Sequence, residues 1–426
     1  AYAEGVALTF KAKLTDTAGN STTGGVSGNT ITVDQASPSV TGVTSSIVNG
    51  SYKGDDIVPV VLFFSENVIV NTTSGTPTLT LETGLSDADV NYSSGSGTVA
   101  LRYDYTILSG HNSSDLDYAS ENSLALNSGT IRDQSGNDAV LTLPSPGSSG
   151  SLSESKNIVI DTTNPSMTIS SSTVSSGSRT NDTSISLTFD SSEPTSNLIV
   201  TDIIVTNGSL TDFTPVDSST YTATFTPTTD GLTTINVPSN KFTDGASNSN
   251  LSADQFSWTF DSTSPTLTSV AAADATYKVD DNIDITVTFS EAVTKTGTPT
   301  LTLSNGATAT YSSGDGSTAL VFRYTVAEGN TDSADLSVSS ITATLVDSAG
   351  NSFAGTVSGD LGAVIVDANS PSFVSVAAAD ATYKVDDNID VTVTFSEAVT
   401  KTGTPTLTLS NGATATYSSG DGSTAL

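Results

Sequence analysis

The side chains able to do chemistry in this 426-residue sequence are carboxylates, and they come in a repeated order. An Asp in a short D-x-x-x-P segment is followed by a Glu behind an apolar run, then by an Asp and an Asn four residues apart in a tight loop. The sets are Asp34, Glu66, Asp133 and Asn137; Asp161, Glu193, Asp244 and Asn248; and Asp261, Glu291, Asp347 and Asn351. A last, partial set holds Asp367 and Glu397, and Asp16 with Asn20 forms a lone loop near the start. Carboxylates brought together repel by roughly 1 kcal/mol per pair at ~4 Å in water, and by more at lower dielectric. A hard divalent cation turns that cost into attraction. Ca2+ takes about 6–8 oxygens at ~2.3–2.6 Å from carboxylates, amide side chains, backbone carbonyls and water, which these sets can supply. Gly136 and Gly350 permit the turn that aims backbone carbonyls at an ion. Any one of these motifs is equally well read as an ordinary turn or a solvated Glu; recurrence in three complete sets is what favours a calcium site.

Other chemistries lack raw material. The sequence has no Cys, so no thiol can act as nucleophile, metal ligand or staple. Its one histidine, His111, lies in a polar stretch with Asn112 and Asp115 and is expected to be exposed; a His-based triad or zinc site has little to build on. Against 45 Asp+Glu stand 13 Lys+Arg, a formal charge of −32, which disfavours binding to nucleic acid or to anionic lipid. No run approaches the ~20 apolar residues that cross a bilayer, and the longest, Val58 to Phe64, contains Pro59. We expect neither an enzyme nor direct membrane insertion.

The elements that must position the carboxylates are repeats. Residues 264–320 return as 370–426 with four differences, and Pro265 and Pro371 are 106 residues apart. A diverged copy carries "SYKGDDIVPVVLFFSEN" and "GTPTLTL" between 51 and 81, and a second type of module lies between the copies. Each junction, "VDQASP", "IDTTNP", "FDSTSP" and "VDANSP", pairs an Asp suited to an Asx-turn with a Pro that stiffens the boundary. The division is a C-terminal remnant 1–34, complete modules 35–161, 162–261 and 262–367, and an N-terminal portion 368–426. The sequence reads as a piece of a longer chain.

Hydrophobic content is 35%, low for a single large core but adequate for thin sandwiches. Apolar residues alternate with polar ones, as in Ile283, Ile285, Val287 and Phe289, and about seven such strands per module make an immunoglobulin-like sandwich. In 35–161 strands are expected near 39–48, 56–64, 77–81, 89–92, 98–107, 123–131 and 156–160. Up-and-down alternation then brings Glu66, at the end of the second strand, and the Asp133 loop to the end where the incoming linker delivers Asp34. The "YKGDD" and "YKVDDN" turns fall at the opposite end and read as ordinary turns that could face the next module.

The combination of "FSE", "GTPTLTL", the D-x-x-G-N loop and the D-x-x-x-P junctions resembles bacterial Ig-like repeats of giant adhesins and some surface-layer proteins. The resemblance covers essentially the whole chain, with 162–261 similar to a second subfamily. It implies an all-β fold, tandem Ig-like sandwiches arranged as an elongated rod, stiffened by calcium at the interdomain junctions, in an extracellular, cell-surface protein. The linker Asp, the strand Glu and the loop Asp and Asn named above carry that role, Glu193 least securely because it departs from "FSE". The partners implied are calcium ions and neighbouring modules, with other copies of the chain or surface glycans and proteins as further candidates. Alternative functions are a surface-layer lattice subunit or a carbohydrate- or protein-binding module, the long segments 68–75 and 144–153 being the place to look for a ligand loop.

Overall fold

The computed structural model of the chain describes residues 3–25, 28 and 31–426. Apart from a one-turn helix, Leu152–Ser155, and a 3-10 turn, Val200–Asp202, every regular element among them is a strand. The chain forms two compact units, one of residues up to 177 with 184–228 and 233–257, the other of 178–183, 229–232 and 258–426. The division cuts through 162–261 instead of falling at a linker. Residues 179, 181 and 230 of that module bind residues 261–263 and 351, which draws them into the second unit.

In the first unit, segment 35–161 is organised around one 15-residue strand, Ile57–Asn71. Its first half pairs antiparallel with Val40–Ser45 and Thr98–Thr106, and its last residues pair with Thr130–Arg132. The sheet continues through Ala88–Ser94, Thr78–Leu81 and Leu124–Ala125. Val58, Val60, Leu62, Phe64 and Val68 alternate into a core with Leu79, Leu101, Tyr103 and Ile131, as a half-buried strand requires. The expected second strand therefore does not end before Glu66 but runs through it. The expected 123–131 strand is two short pieces on different partners, because two residues of positive φ, Asn127 and Ser128, break it.

One other expectation changes, and the segment 144–153 is held against its module. His111 is buried, not exposed: its Nδ1 meets the Tyr105 hydroxyl at 2.8 Å, with the two rings stacked. Residues 144–153 do not form a free loop, since the Gly150 carbonyl accepts from Val43 N, the Asp117 carboxylate takes Gly147 N and Ser153 Oγ, and Leu152 is fully buried.

Within 162–261 the first unit holds a four-stranded antiparallel sheet in the order Met167–Ser171, Ile185–Ser191, Thr220–Pro227, Gly208–Pro215. Ile185, Leu187, Phe189 and Phe225 are buried beneath it.

In the second unit, segment 262–367 repeats the plan of 35–161 around a 22-residue strand, Asn282–Leu303. It pairs with Leu267–Ala271, Ser317–Thr325 and Ser337–Val346 over a core of Ile283, Ile285, Val287, Phe289, Leu320 and Phe322. A parallel pair, Ala275–Lys278 with Val364–Asp367, closes its far end, as Gly50–Tyr52 with Ile158–Ile160 does in 35–161. Segment 368–426 forms Phe373–Ala378 on Val391–Val399, with Phe373 and Val376 exposed.

Candidate metal centres

Each complete set of acidic residues converges. Asp34 with Glu66 and Asp133, Asp161 with Glu193 and Asp244, and Asp261 with Glu291 and Asp347 form three groups. Within each, one carboxylate oxygen per residue lies within 4.8 Å of the others. Three locally different devices aim these side chains.

The linker Asp caps its own turn: Asp34, Asp161 and Asp261 accept through Oδ1 from the N–H two residues on, at 3.2, 3.0 and 3.1 Å. The Pro four residues on then holds the chain extended into the first strand of the next module.

The Glu is aimed by a bulge. Along Ile57–Asn71 the inward row runs Val60, Leu62, Phe64, Glu66, Val68, so Glu66 occupies a core-facing position at the open end of the sandwich. Opposite it the register skips: Ala100 faces Phe63 whereas Thr98 faces Val68. Glu291 follows Val287 and Phe289 in the same way, and Thr288 faces Ala319 whereas Val293 faces Ser317. Bulges of this kind re-aim side chains at strand ends and near functional sites. Glu193 reaches the same place differently, two residues beyond a strand that ends at Ser191, with Pro194 barring its continuation.

The loop Asp is held by the Asn four residues on. Asp347 Oδ1 accepts from the N–H of Ala349 and Asn351, both at 2.8 Å, and its Oδ2 accepts from Asn351 Nδ2 at 2.8 Å. Asp244 and Asp133 repeat the brace with Asn248 and Asn137, and Asp16 with Asn20 builds it away from the three groups. The same Asn amide also donates across the joint to the carbonyl of the linker Asp: Asn351 to Asp261 at 2.8 Å, Asn248 to Asp161 at 2.9 Å, Asn137 to Asp34 at 3.3 Å. These amide nitrogens therefore fasten the carboxylate to the linker. Through their amide nitrogens Asn137, Asn248 and Asn351 thus have a positioning role, beside the ligand role expected of their oxygens from sequence.

The turn needs a positive φ at the residue before the Asn. Gly136 and Gly350 supply it, both at +97°, while Ser247 adopts +72°. Asp367 and Glu397 belong to no group of three among the described residues, the segment after 368 having no equivalent of the Asp347 loop.

The electrostatics show the cost of this convergence. Burial, then the charges of Asp34 and Asp133, raise the Glu66 carboxyl above its ordinary value. Burial with Asp161 and Asp244 pushes Glu193 up to about 7. Glu291 is raised by burial, Asp347 and Asp261, while Arg179 pulls the other way. Burial also opposes ionisation of Asp133, but the hydrogen bonds from Asn137 and the loop N–H groups hold it below the usual carboxylate range. Each group thus offers three carboxylate oxygen donors and an excess of negative charge, which only at the Asp261 group meets a cation, Arg179, among the described residues, and none offers a nitrogen or sulfur donor. That donor set suits a hard cation such as Ca2+ or Mg2+ and not zinc or copper.

The sequence placed the "YKGDD" turn where it could face the next module, but did not single out the individual contacts that link modules directly. Lys53 Nζ, on a "YKGDD" turn, donates to the Ser247 carbonyl of the next module at 3.1 Å, while Asp56 Oδ2 accepts from Lys53 N within the turn. Thr162 is held by Gly110 N and by Asn112 Oδ1. Asp230 accepts from Ser262 and Thr263, and Glu328 from Ser370. No local signal marked Asn112, Asp230 and Glu328, which lie 50, 32 and 42 residues in sequence from the linker residues they bind.

Residues 161–260 and 261–363 each match the family described as bacterial Ig-like domain. These two modules are bacterial Ig-like domains. The boundaries of the matched segments fall on Asp161 and Asp261, the linker residues of two of the three carboxylate groups. Among solved structures, three titin immunoglobulin domains are 9% identical, with 78% of this chain and all of that one covered at a TM-score of 0.28. Invasin, a bacterial integrin-binding protein, is 11% identical over 83% of this chain and 67% of its own, at 0.28. The Yersinia pseudotuberculosis adhesin InvE is 14% identical over 46% and 58%, at 0.19. Among curated proteins none shows significant similarity. No helix among the described residues is long and apolar enough to cross a membrane.

Proposed function

We propose that this chain is a non-enzymatic spacer segment of a large extracellular, cell-surface protein, in which Ca2+ clamps one bacterial Ig-like module to the next. The observation that carries this reading is the same carboxylate triad at three successive joints, each time assembled from a linker, a strand or the residues just beyond it, and a loop. A cation there converts mutual repulsion into a crosslink between the linker Asp and the following module, which stiffens the joint. Asp34, Glu66, Asp133, Asp161, Glu193, Asp244, Asp261, Glu291 and Asp347 are the ligands in this proposal. Asn137, Asn248 and Asn351 hold the loop Asp and the linker in place, as outer-shell partners do in metal sites.

The test is X-ray scattering and calorimetry on the whole chain, in Ca2+ and in chelator. A ligand at 100 times its Kd stabilises the native state by about 2.7 kcal/mol, so chelation should lower the melting temperature by several degrees and make the particle more flexible. No change in either measurement refutes the clamp. A surface-layer subunit would instead show Ca2+-dependent growth of particle mass with concentration.

A second reading, a ligand-binding module, is favoured by one observation. On 162–261 a shallow apolar groove is lined by Leu198, Ile199, Phe213, Pro215 and Tyr221, with the Phe213 and Tyr221 rings stacked 5.3 Å apart. Binding of soluble glycans to the wild type but not to Phe213→Ala would put that reading first.

A further inference from the structure

The three joints share their ligands but not their counter-charge. At the Asp261 joint the guanidinium of Arg179 lies against the triad, its Nη1 2.8 Å from Asp261 Oδ2, with the Asp261 side chain 10% exposed. Among the described residues no other Lys or Arg pairs with a carboxylate of any triad. The placement follows from strand register. Arg179 stands opposite Thr259 in the parallel pair that precedes the linker, one residue before the Thr180 whose carbonyl accepts Asp261 N. The equivalent pair in 35–161 sets Ser51 opposite Val159, and that in 262–367 sets Thr276 opposite Ile365. An uncharged side chain therefore occupies the Arg179 position in the other module type.

A second contact binds the same joint without metal. Asn181 N donates to the Ala349 carbonyl at 3.1 Å, and its Nδ2 to Asn351 Oδ1 at 3.1 Å. The residue at the Asn181 register in 35–161 is Lys53, whose ammonium goes to a backbone carbonyl and leaves the Asp161 triad without a cation.

We propose that Arg179 is the built-in counter-cation of the Asp261 joint: it competes with calcium for Asp261, lowers the calcium affinity of that joint below that of the Asp161 joint, and keeps the joint closed when calcium is scarce. This deepens the calcium reading above and rests on it. The chain then carries joints of two kinds, one that responds to calcium as a switch and one that stays engaged over a wider range of concentration. A unit charge a few ångströms from the ion, half in solvent, weakens divalent binding by about tenfold.

Hydrogen exchange followed by mass spectrometry on the full chain tests this, with Ca2+ titrated into wild type, Arg179→Gln and Arg179→Lys. The readouts are linker peptides around 161–164 and 261–264. In wild type the first should gain protection at about tenfold lower Ca2+ than the second. In chelator the second should remain the better protected. Arg179→Gln should bring the two thresholds together and remove the protection of 261–264 in chelator, and Arg179→Lys, which keeps the charge, should largely retain the difference. Equal thresholds in wild type that Arg179→Gln leaves unmoved overturn the inference while the calcium reading stands. If Ca2+ protects neither linker, the calcium reading fails and the inference falls with it.

Discussion

The joints at Asp161 and Asp261 use the same three carboxylates and the same Asn brace, yet they treat the resulting charge in opposite ways. At the first, burial and then its two anionic neighbours, Asp161 and Asp244, push the Glu193 carboxyl up to about 7, with no cation paired to the triad among the described residues. At the second, Arg179 relieves part of the field on Glu291. The loop geometry differs too: Gly350 takes its left-handed conformation freely, whereas Ser247 is forced into it. Recurring ligands thus define a site type, while residues outside the recurring motif set how strongly each copy depends on a bound ion.

The contrast can be broken by removing the Glu charge. Glu193→Gln should cost calcium affinity at its joint on the order of 100-fold, by loss of an ionised ligand, and should raise the melting temperature in chelator by relieving repulsion. Glu291→Gln should lose comparable affinity but change the chelator melting temperature less, since Arg179 already offsets that repulsion. Calorimetric titration and thermal scans of both variants decide it; equal shifts in chelator would erase the distinction between the joints.

The pH dependence sharpens it. Glu193 titrates higher in the folded chain than when unfolded, so in chelator its ionisation destabilises the fold progressively as pH rises from about 4.5 to about 7 and no further above that. The same carboxyl must lose its proton to bind an ion, so calcium affinity at this joint should fall about tenfold per pH unit below 7. Denaturation midpoints in chelator and calcium titrations between pH 5 and pH 8 measure both. A flat profile would mean that Glu193 is ordinarily solvated.

The smallest effect tests the loop alone. Ser247→Gly should stabilise the chain by about 1 kcal/mol by removing left-handed strain at a serine, with little change in calcium affinity. No gain on chemical denaturation would show that the positive φ at Ser247 stores no such strain.

Much of this was legible beforehand for a local reason. Alternating apolar residues, the Asx-turn before each Pro and the D-x-x-G-N loop depend on neighbours a few residues away, and each appears in the structure as a strand or turn. What escaped was non-local. Glu66 and Glu291 looked like residues closing a strand; they lie within one, in phase with Phe64 and Phe289, at a register skip that only the partner strands 98–106 and 317–325 create. His111 looked exposed because its sequence neighbours are polar, but its surroundings are set by Tyr105 across the loop. The Asn residues were read for their oxygens, whereas the bond from their nitrogens to the linker carbonyl is visible only when two modules meet.

By itself the sequence determined the module type, the repeat and the identity of the acidic residues, since periodicity, turn chemistry and charge are properties of short stretches read in order. Only the tertiary structure decided how each carboxylate is aimed into its group and which group includes a cation. Those outcomes depend on strand register and on residues 82 positions apart, as Arg179 and Asp261 are, brought to 2.8 Å by packing that no local pattern encodes.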